Sequence, residues 1–228
     1  MATSGVFTWE LNRDEIINAA LRKIGVLGEG VSASATQITT GAEALNSMIM
    51  LFAVEDGLPL YRIVHTATAF VASTNTYSAT YGLRVLQVLR KETASGSQIP
   101  LEPVSRYEFN QLNTSTTGLP NTYFVDNNIE TPVVTVWPTP TATEAASHSI
   151  VIVHQKEVDS FDADVDTPAF PAYWSDALIY GLASRLAPEY GVPLEDRRVL
   201  MAEANAYKRA AMDYNEEFGS LYIQPAEH

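Results

Sequence analysis

Apolar residues recur at helical spacing near both ends of the chain and at strand spacing between them. Near the start, Asn12 reads as a helix cap, and Glu15 three residues on completes a capping box. Behind it, Ile16, Ile17, Ala20, Leu21 and Ile24 form one buried face, and Gly25 stops the helix. A second helix is predicted over residues 35–55. There Ile38, Ala42, Leu45, Ile49 and Phe52 repeat at fours and threes beside Met48, and Gly57 and Pro59 close it. The stretch 170–218 carries the strongest signal, two helices joined by Ala187-Pro188-Glu189-Tyr190-Gly191-Val192-Pro193. Trp174, Leu178, Leu182 and Leu186 lie four apart on one stripe. Pro171 suits a first helical turn, and Asp176 complements the positive end of the helix dipole. Ala177, Gly181 and Ser184 are small enough to let another helix approach. Pro188 should loosen the last turn, with Gly191 in the left-handed closing position. The final helix is expected over 194–218, its seam being Leu200, Ala204, Tyr207, Ala211, Tyr214 and Phe218.

The texture between 61 and 155 is rich in Thr, Val, Ser, Tyr and Pro. Strands are predicted over 63–71, 84–91, 99–103, 122–125, 133–137 and 149–155, with turns at Ala94-Ser95-Gly96-Ser97 and Asp126-Asn127-Asn128. Ser105 and Glu108 start a short helix ending near Leu112. Neither terminal helix pair alone can bury its apolar face, so the two should pack together. The expected fold class is α+β: a four-helix bundle from N- and C-terminal helix pairs with an inserted antiparallel β sandwich or barrel module. The corresponding divisions are 1–60, 61–160 and 161–228, the last including an apolar tail.

Composition narrows the function. The chain has 228 residues, no cysteine and a formal net charge of −13. That surface repels phosphate backbones, and the basic clusters are only pairs such as Arg22-Lys23 and Arg197-Arg198. Specific nucleic-acid binding is disfavoured; a channel through which DNA slides is not. No apolar run is long enough for a membrane-spanning helix, and the first residues lack the basic and apolar regions of a secretory signal. Thiol catalysis and cysteine metal sites are excluded.

Other chemistry is thin. The Gly25–Gly30 loop has no preceding strand and no following Gly-Lys-Ser/Thr, so it reads as a loop and not a phosphate cradle. His148 and His154 lie roughly 20 Å apart at the usual strand rise, too far to share a metal. No Gly-x-Ser-x-Gly or His-Glu-x-x-His motif is present. Asp159, Asp162, Asp164 and Asp166 crowd one loop, and the last three match the start of a calcium loop. Thr167-Pro168 then stands where its turn glycine belongs, and the closing glutamate is missing, which favours a solvated connector. The many carboxylates offer no way to choose a glycosidase pair. Tyr77, Tyr81, Tyr107, Tyr123 and Trp137 are candidate glycan-stacking faces, with core packing the commoner use of such residues. Leu221, Tyr222 and Ile223 place three large apolar side chains near the end, either tucked onto their own core or docked on a partner.

Ala19-Ala20-Leu21-Arg22-Lys23-Ile24-Gly25-Val26, Ala44-Leu45-Asn46-Ser47-Met48-Ile49 followed by Glu55-Asp56-Gly57-Leu58, and Ala183-Ser184-Arg185-Leu186-Ala187-Pro188-Glu189-Tyr190-Gly191 occur in that order. Together with Pro120-Asn121-Thr122-Tyr123-Phe124-Val125-Asp126 and Val134-Thr135-Val136-Trp137-Pro138-Thr139-Pro140, they make the chain resemble the head-to-tail adaptors of tailed phages. This is the packaged-DNA-stabilisation or head-completion family of short-tailed phages, to which tail tubular A proteins look related. The resemblance implies a structural virion protein of the neck, assembled in the host cytoplasm, with no cofactor and no catalytic or metal site. It implies a ring, usually dodecameric, bound to the portal protein and to tail nozzle or fibre proteins. Genomic DNA would pass through it without sequence-specific binding. Phe218, Leu221, Tyr222 and Ile223, with Tyr214, are the candidate partner-binding residues. A virion-borne peptidoglycan- or glycan-cleaving enzyme and a glycan-binding β module are the competing expectations.

Overall fold

The computed structural model describes residues 10–54, 63–128, 131–156, 158–167 and 170–214. Two helices come first, α1 (Arg13–Lys23) and α2 (Ala35–Val54). Five strands follow: β1 (Ile63–Ala69), β2 (Thr76–Ser78), β3 (Gly82–Glu92), β4 (Gln98–Pro100) and β5 (Glu102–Pro103). Then come α3 (Arg106–Phe109), β6 (Thr122–Asp126), β7 (Val133–Trp137), α4 (Ala142–Ser147) and β8 (His148–Lys156). A 3-10 turn (Ala172–Trp174) leads into α5 (Ser175–Leu186), and α6 (Leu194–Asp213) follows. The chain divides into two compact units, one from residues 1–60 with 158–228 and one from residues 61–157.

In the helical unit, α1 begins at the expected capping box. The Asn12 side chain accepts from the Glu15 N–H at 2.8 Å, and the Glu15 carboxylate accepts from the Asn12 N–H at 2.9 Å. Such a cap contributes on the order of 1 kcal/mol. Ile16, Ile17, Ala20 and Leu21 are buried, and Gly25 takes a φ of 75° just beyond the helix. Helix α5 lies at the centre: Ala177, Leu178, Ile179, Gly181, Leu182, Ala183 and Leu186 are buried, covering most of its circumference. Burying each leucine contributes about 1.5–3 kcal/mol. The expected close approach is real. A Cβ on Gly181 would stand 2.7 Å from Met48 Sδ of α2, and one on Gly41 would stand 2.7 Å from Ile17 Cγ2 of α1. After Leu186 the chain turns through Gly191, φ 70°, while the Val192 N–H reaches back to the Ala187 carbonyl at 3.0 Å.

The four-helix bundle is not what forms. The six described helices are interspersed with eight strands, and α3 and α4 belong to the other unit. Around α5, helices α1 and α2 pack on it and on each other, while α6 packs on α5 and on the 3-10 turn. The arrangement is a hub with three spokes, because α5 is apolar nearly all round and needs cover on every side, whereas a bundle shares one central seam. Helix α6 shows the same point. Leu200, Ala204 and Ala211 of the predicted seam are buried, but Tyr207 and Tyr214 are exposed, and the described helix ends at Asp213. Phe218 lies outside the described residues.

The β unit holds two four-stranded sheets, in the orders β1-β8-β3-β4 and β2-β7-β6-β5. Phe70, Tyr77, Val88, Leu101, Tyr123, Val134, Val136, Ile150 and Ile152, drawn from both sheets and their connections, form one core. The expectation of a purely antiparallel module is also corrected, since β5 pairs with β6 in parallel. The single strand predicted over 99–103 is two: β4 pairs with β3, β5 with β6, and buried Leu101 marks the crossing between sheets. Residues flanking a core-facing side chain can pair with different neighbours, and this the alternation pattern does not reveal. The turn at Gly96 (φ 72°) joins β3 to β4 as expected, and the Ser105–Glu108 box caps α3. Helix α4 and β2 were not anticipated; Thr141 and Glu144 form a capping box before α4 that the sequence did carry.

Candidate partner-docking surface

Tyrosines at 173, 180, 207 and 214 stand seven apart on each arm of the α5–α6 hairpin. Seven residues is two helical turns, so each pair shares a stripe. The antiparallel helices bring the stripes together: Tyr173 and Tyr214 lie 5.0 Å apart by ring centroid, Tyr180 and Tyr207 4.9 Å. Between them opens a cleft of about 400 Å³ lined by Tyr173, Asp176, Tyr207, Ala210, Ala211 and Tyr214. Tyr214, one of the sequence candidates, is 75% exposed at this rim. Leu221, Tyr222, Ile223 and Phe218 lie outside the described residues. No sequence motif singles out Tyr173 or Tyr180, and helical spacing alone assigns Tyr207 to the core seam. The two sevenfold spacings were the available signal.

Charges of both signs stand at the cleft: Asp176 lines it, and the Lys23 ammonium lies close enough to interact with Asp176 and Tyr207. Lys23 from α1 sits 4.7 Å from the Tyr180 ring centroid, and its hydrogen bond to Tyr180 holds its pKa above the ordinary lysine value despite some desolvation. Tyr207 is held above the ordinary phenol value, first by the neighbouring Tyr180, then by desolvation and by the Asp176 and Glu203 carboxylates. A phenolate at Tyr207 would be a further negative charge among those groups.

The acidic loop is fastened to the helical unit. Asp166 accepts from the Ala163 N–H at 2.7 Å and the Asp162 N–H at 2.8 Å. Those two bonds, with a smaller contribution from Arg13, hold its carboxyl below the usual range. Arg13 donates from its backbone N–H to the Asp166 carbonyl at 2.9 Å and from its guanidinium to the Asp162 carbonyl at 3.1 Å. One step earlier in the chain, Asn46 of α2 accepts from the Phe161 N–H at 2.9 Å and donates to the Phe161 carbonyl at 3.2 Å. Asn46 thus closes a two-bond clamp on a segment whose Phe161 ring is buried. The Asp166 carboxylate, turned onto its own backbone, is poorly placed for a calcium ion. Among the described residues no group of three or more His, Cys, Asp or Glu is arranged to hold a metal.

The remaining candidates separate. His154 is buried in β8 with Nδ1 3.4 Å from the Ile152 carbonyl, and His148 lies beside Ser147 at 2.9 Å. Of the five candidate stacking aromatics, Tyr77 and Tyr123 belong to the β core, and Trp137 donates its indole N–H to the Asn113 carbonyl at 2.9 Å. Tyr81 and Tyr107 are exposed. No described helix is long and apolar enough to cross a membrane.

No curated protein matches the chain at a significant level. A family model described as SU10 adaptor protein matches residues 11–225, which takes in both helix pairs and the β unit. The match spans the three helical motifs and both β segments on which the resemblance to phage adaptors rests. The chain therefore belongs to the SU10 adaptor protein family, phage head-to-tail adaptors with a structural role in the virion.

Proposed function

We propose that the protein is a ring-forming connector that joins the portal to the tail and forms part of the DNA channel. The observation that carries this reading is the family match over residues 11–225. The net charge of −13 supports it, since attraction at each phosphate would brake DNA moving through a channel. A closed ring of identical copies, a dodecamer in this reading, requires two different faces of one subunit to meet. Its other partners are tail nozzle or fibre proteins, and it is assembled in the host cytoplasm. The role is architectural and not catalytic. Supporting this, the residues that suggested chemistry serve structure instead: Asp166 ties its loop, and Tyr77 and Tyr123 fill the β core.

The test is electron microscopy of purified protein mixed with portal rings. A ring docked coaxially on one portal face is expected; portal rings that stay bare at micromolar protein would overturn the reading. In the same reading Tyr214, Phe218, Leu221, Tyr222 and Ile223 form a docking element. Deleting residues 220–228 should leave the subunit's melting temperature unchanged and abolish assembly. A fall in melting temperature would assign those residues to the subunit's own core.

A further inference from the structure

We propose that the free edge of β1 takes up an added strand, residues 5–9 of a second copy of this chain. Among the described residues the two sheets of the β unit end in four edge strands, β1, β4, β2 and β5. Three of them are blunted. Strands β2 and β4 are three residues long and β5 is two, and Pro100 and Pro103 remove backbone donors from β4 and β5. Strand β1 differs: it has seven residues, with no proline, lysine, arginine or carboxylate. Its pairing with β8 runs in unbroken register, whereas β3 shifts register twice against the same strand. Short length, proline, charge and bulges are the usual guards of a sheet edge, and β1 has none of them.

The outward groups can be named. The Phe70 N–H donates to the His148 carbonyl at 3.4 Å, in register one step beyond Ala69 opposite Ser149. Antiparallel bonding alternates along a strand, so Val64, Thr66 and Thr68 bond β8. Ile63, His65, Ala67 and Ala69 therefore turn their N–H and C=O groups away from β8, where no described strand meets them. The core thins on the same side. Ile152 and Ile150 of β8 are buried, yet their cross-strand partners Thr66 and Thr68 are half-buried and exposed.

The start of the chain suits this edge. Nine residues precede Glu10, the first described residue, and none of them has a charged side chain, in a chain of net charge −13. Val6, Phe7, Thr8 and Trp9 are all strand-favouring types, with the two aromatic residues alternating with the two β-branched ones. Laid along β1, such a strand carries both rings on one face, where they can cover the thin side of the core. Main-chain bonds then supply affinity and the rings supply specificity. Giving one arm and receiving another is a heterologous contact, which repeats around a ring. A β1–β1 pair would instead close at two copies, so the selection of the arm rests on the ring proposed above.

The chain has no cysteine, so engineered thiols report alone. Full-length Thr8→Cys and Ala67→Cys chains are mixed without portal and treated with a short bis-maleimide. A mixed dimer is expected, and a chain carrying both thiols should give a ladder of multimers. Adding Val6→Pro to the arm chain should cut the cross-linked fraction several-fold with the melting temperature unchanged. Adding His65→Pro to the edge chain should do the same, because it removes an outward N–H and spares the bonds to β8. Absence of the mixed dimer, or a yield undiminished by Val6→Pro, would overturn the proposal. So would Ala67→Cys chains that join one another as readily as they join Thr8→Cys chains, since β1 would then meet β1. A doubly substituted chain that closes only on itself would overturn it too. The cross-link is read without portal, so its failure leaves the portal-docking result standing.

Discussion

The helical unit and the β unit bury their apolar residues in different ways. In the helical unit one element dominates: α5 is buried around most of its circumference, and α1, α2 and α6 each cover part of it. In the β unit the core is shared among residues of both sheets and their connections, with no more than two side chains from any one strand. The first kind of core concentrates stability in side chains of a single helix. The second distributes it over strand pairing, where backbone geometry matters as much as side-chain volume. They also leave different surfaces. The hub leaves the outer seam of α5 and α6 open, where four tyrosines gather, while the exposed tyrosines of the β unit, Tyr81 and Tyr107, make no such pairing among the described residues.

The comparison is sharpened most by Leu182→Ala. Leu182 is fully buried at the hub, so its truncation should cost about 3 kcal/mol, the usual loss for a core leucine. Denaturant unfolding followed by hydrogen exchange should show the loss first in α1, α2 and α5. A loss spread evenly over both units would break the contrast.

In the β unit the corresponding weak point is backbone. A Cβ on Gly82 would stand 2.7 Å from the Ala79 carbonyl oxygen and 3.1 Å from His154 Cδ2, at a register shift between β3 and β8. Gly82→Ala should cost roughly 2 kcal/mol through forced displacement. Gly181→Ala in α5 meets mainly the flexible Met48 side chain and should cost less. The reverse order in a thermal melt would contradict the assignment of strain.

Asn46→Ala comes next. Removing the clamp leaves the N–H and carbonyl of Phe161 unsatisfied, at about 1–2 kcal/mol. Exchange at the Phe161 amide should accelerate; unchanged protection would mean that Asn46 does not hold the loop.

The smallest effect is a pH dependence. The Asp166 carboxyl lies below its ordinary value of 3.8 when folded. Its contribution is therefore present above that value and lost as pH falls through the folded pKa. Amide shifts at Asp162 and Ala163 should follow this titration, and Asp166→Asn should remove it.

Much of the architecture was legible in the chain. The Trp174, Leu178, Leu182, Leu186 stripe is buried throughout, the caps at Asn12 and Ser105 form, and Gly191 closes α5 as expected. These depend on neighbours within a turn or two, which periodicity and capping chemistry report directly. The same rules misjudged Tyr207 and Tyr214, because helical spacing says which residues share a stripe and not whether another element covers it.

By itself, the sequence determined the helix stripes, most strands, the acidic balance and the resemblance to phage adaptors, all of which are local or compositional. Tertiary structure decided that α5 is a hub, that residues 98–103 divide between two sheets, that Asn46 reaches Phe161, and that four tyrosines meet across α5 and α6. Each of these joins residues distant along the chain or assigns a partner to a face. Contacts of that kind depend on which elements pack together, and a one-dimensional pattern does not encode the choice.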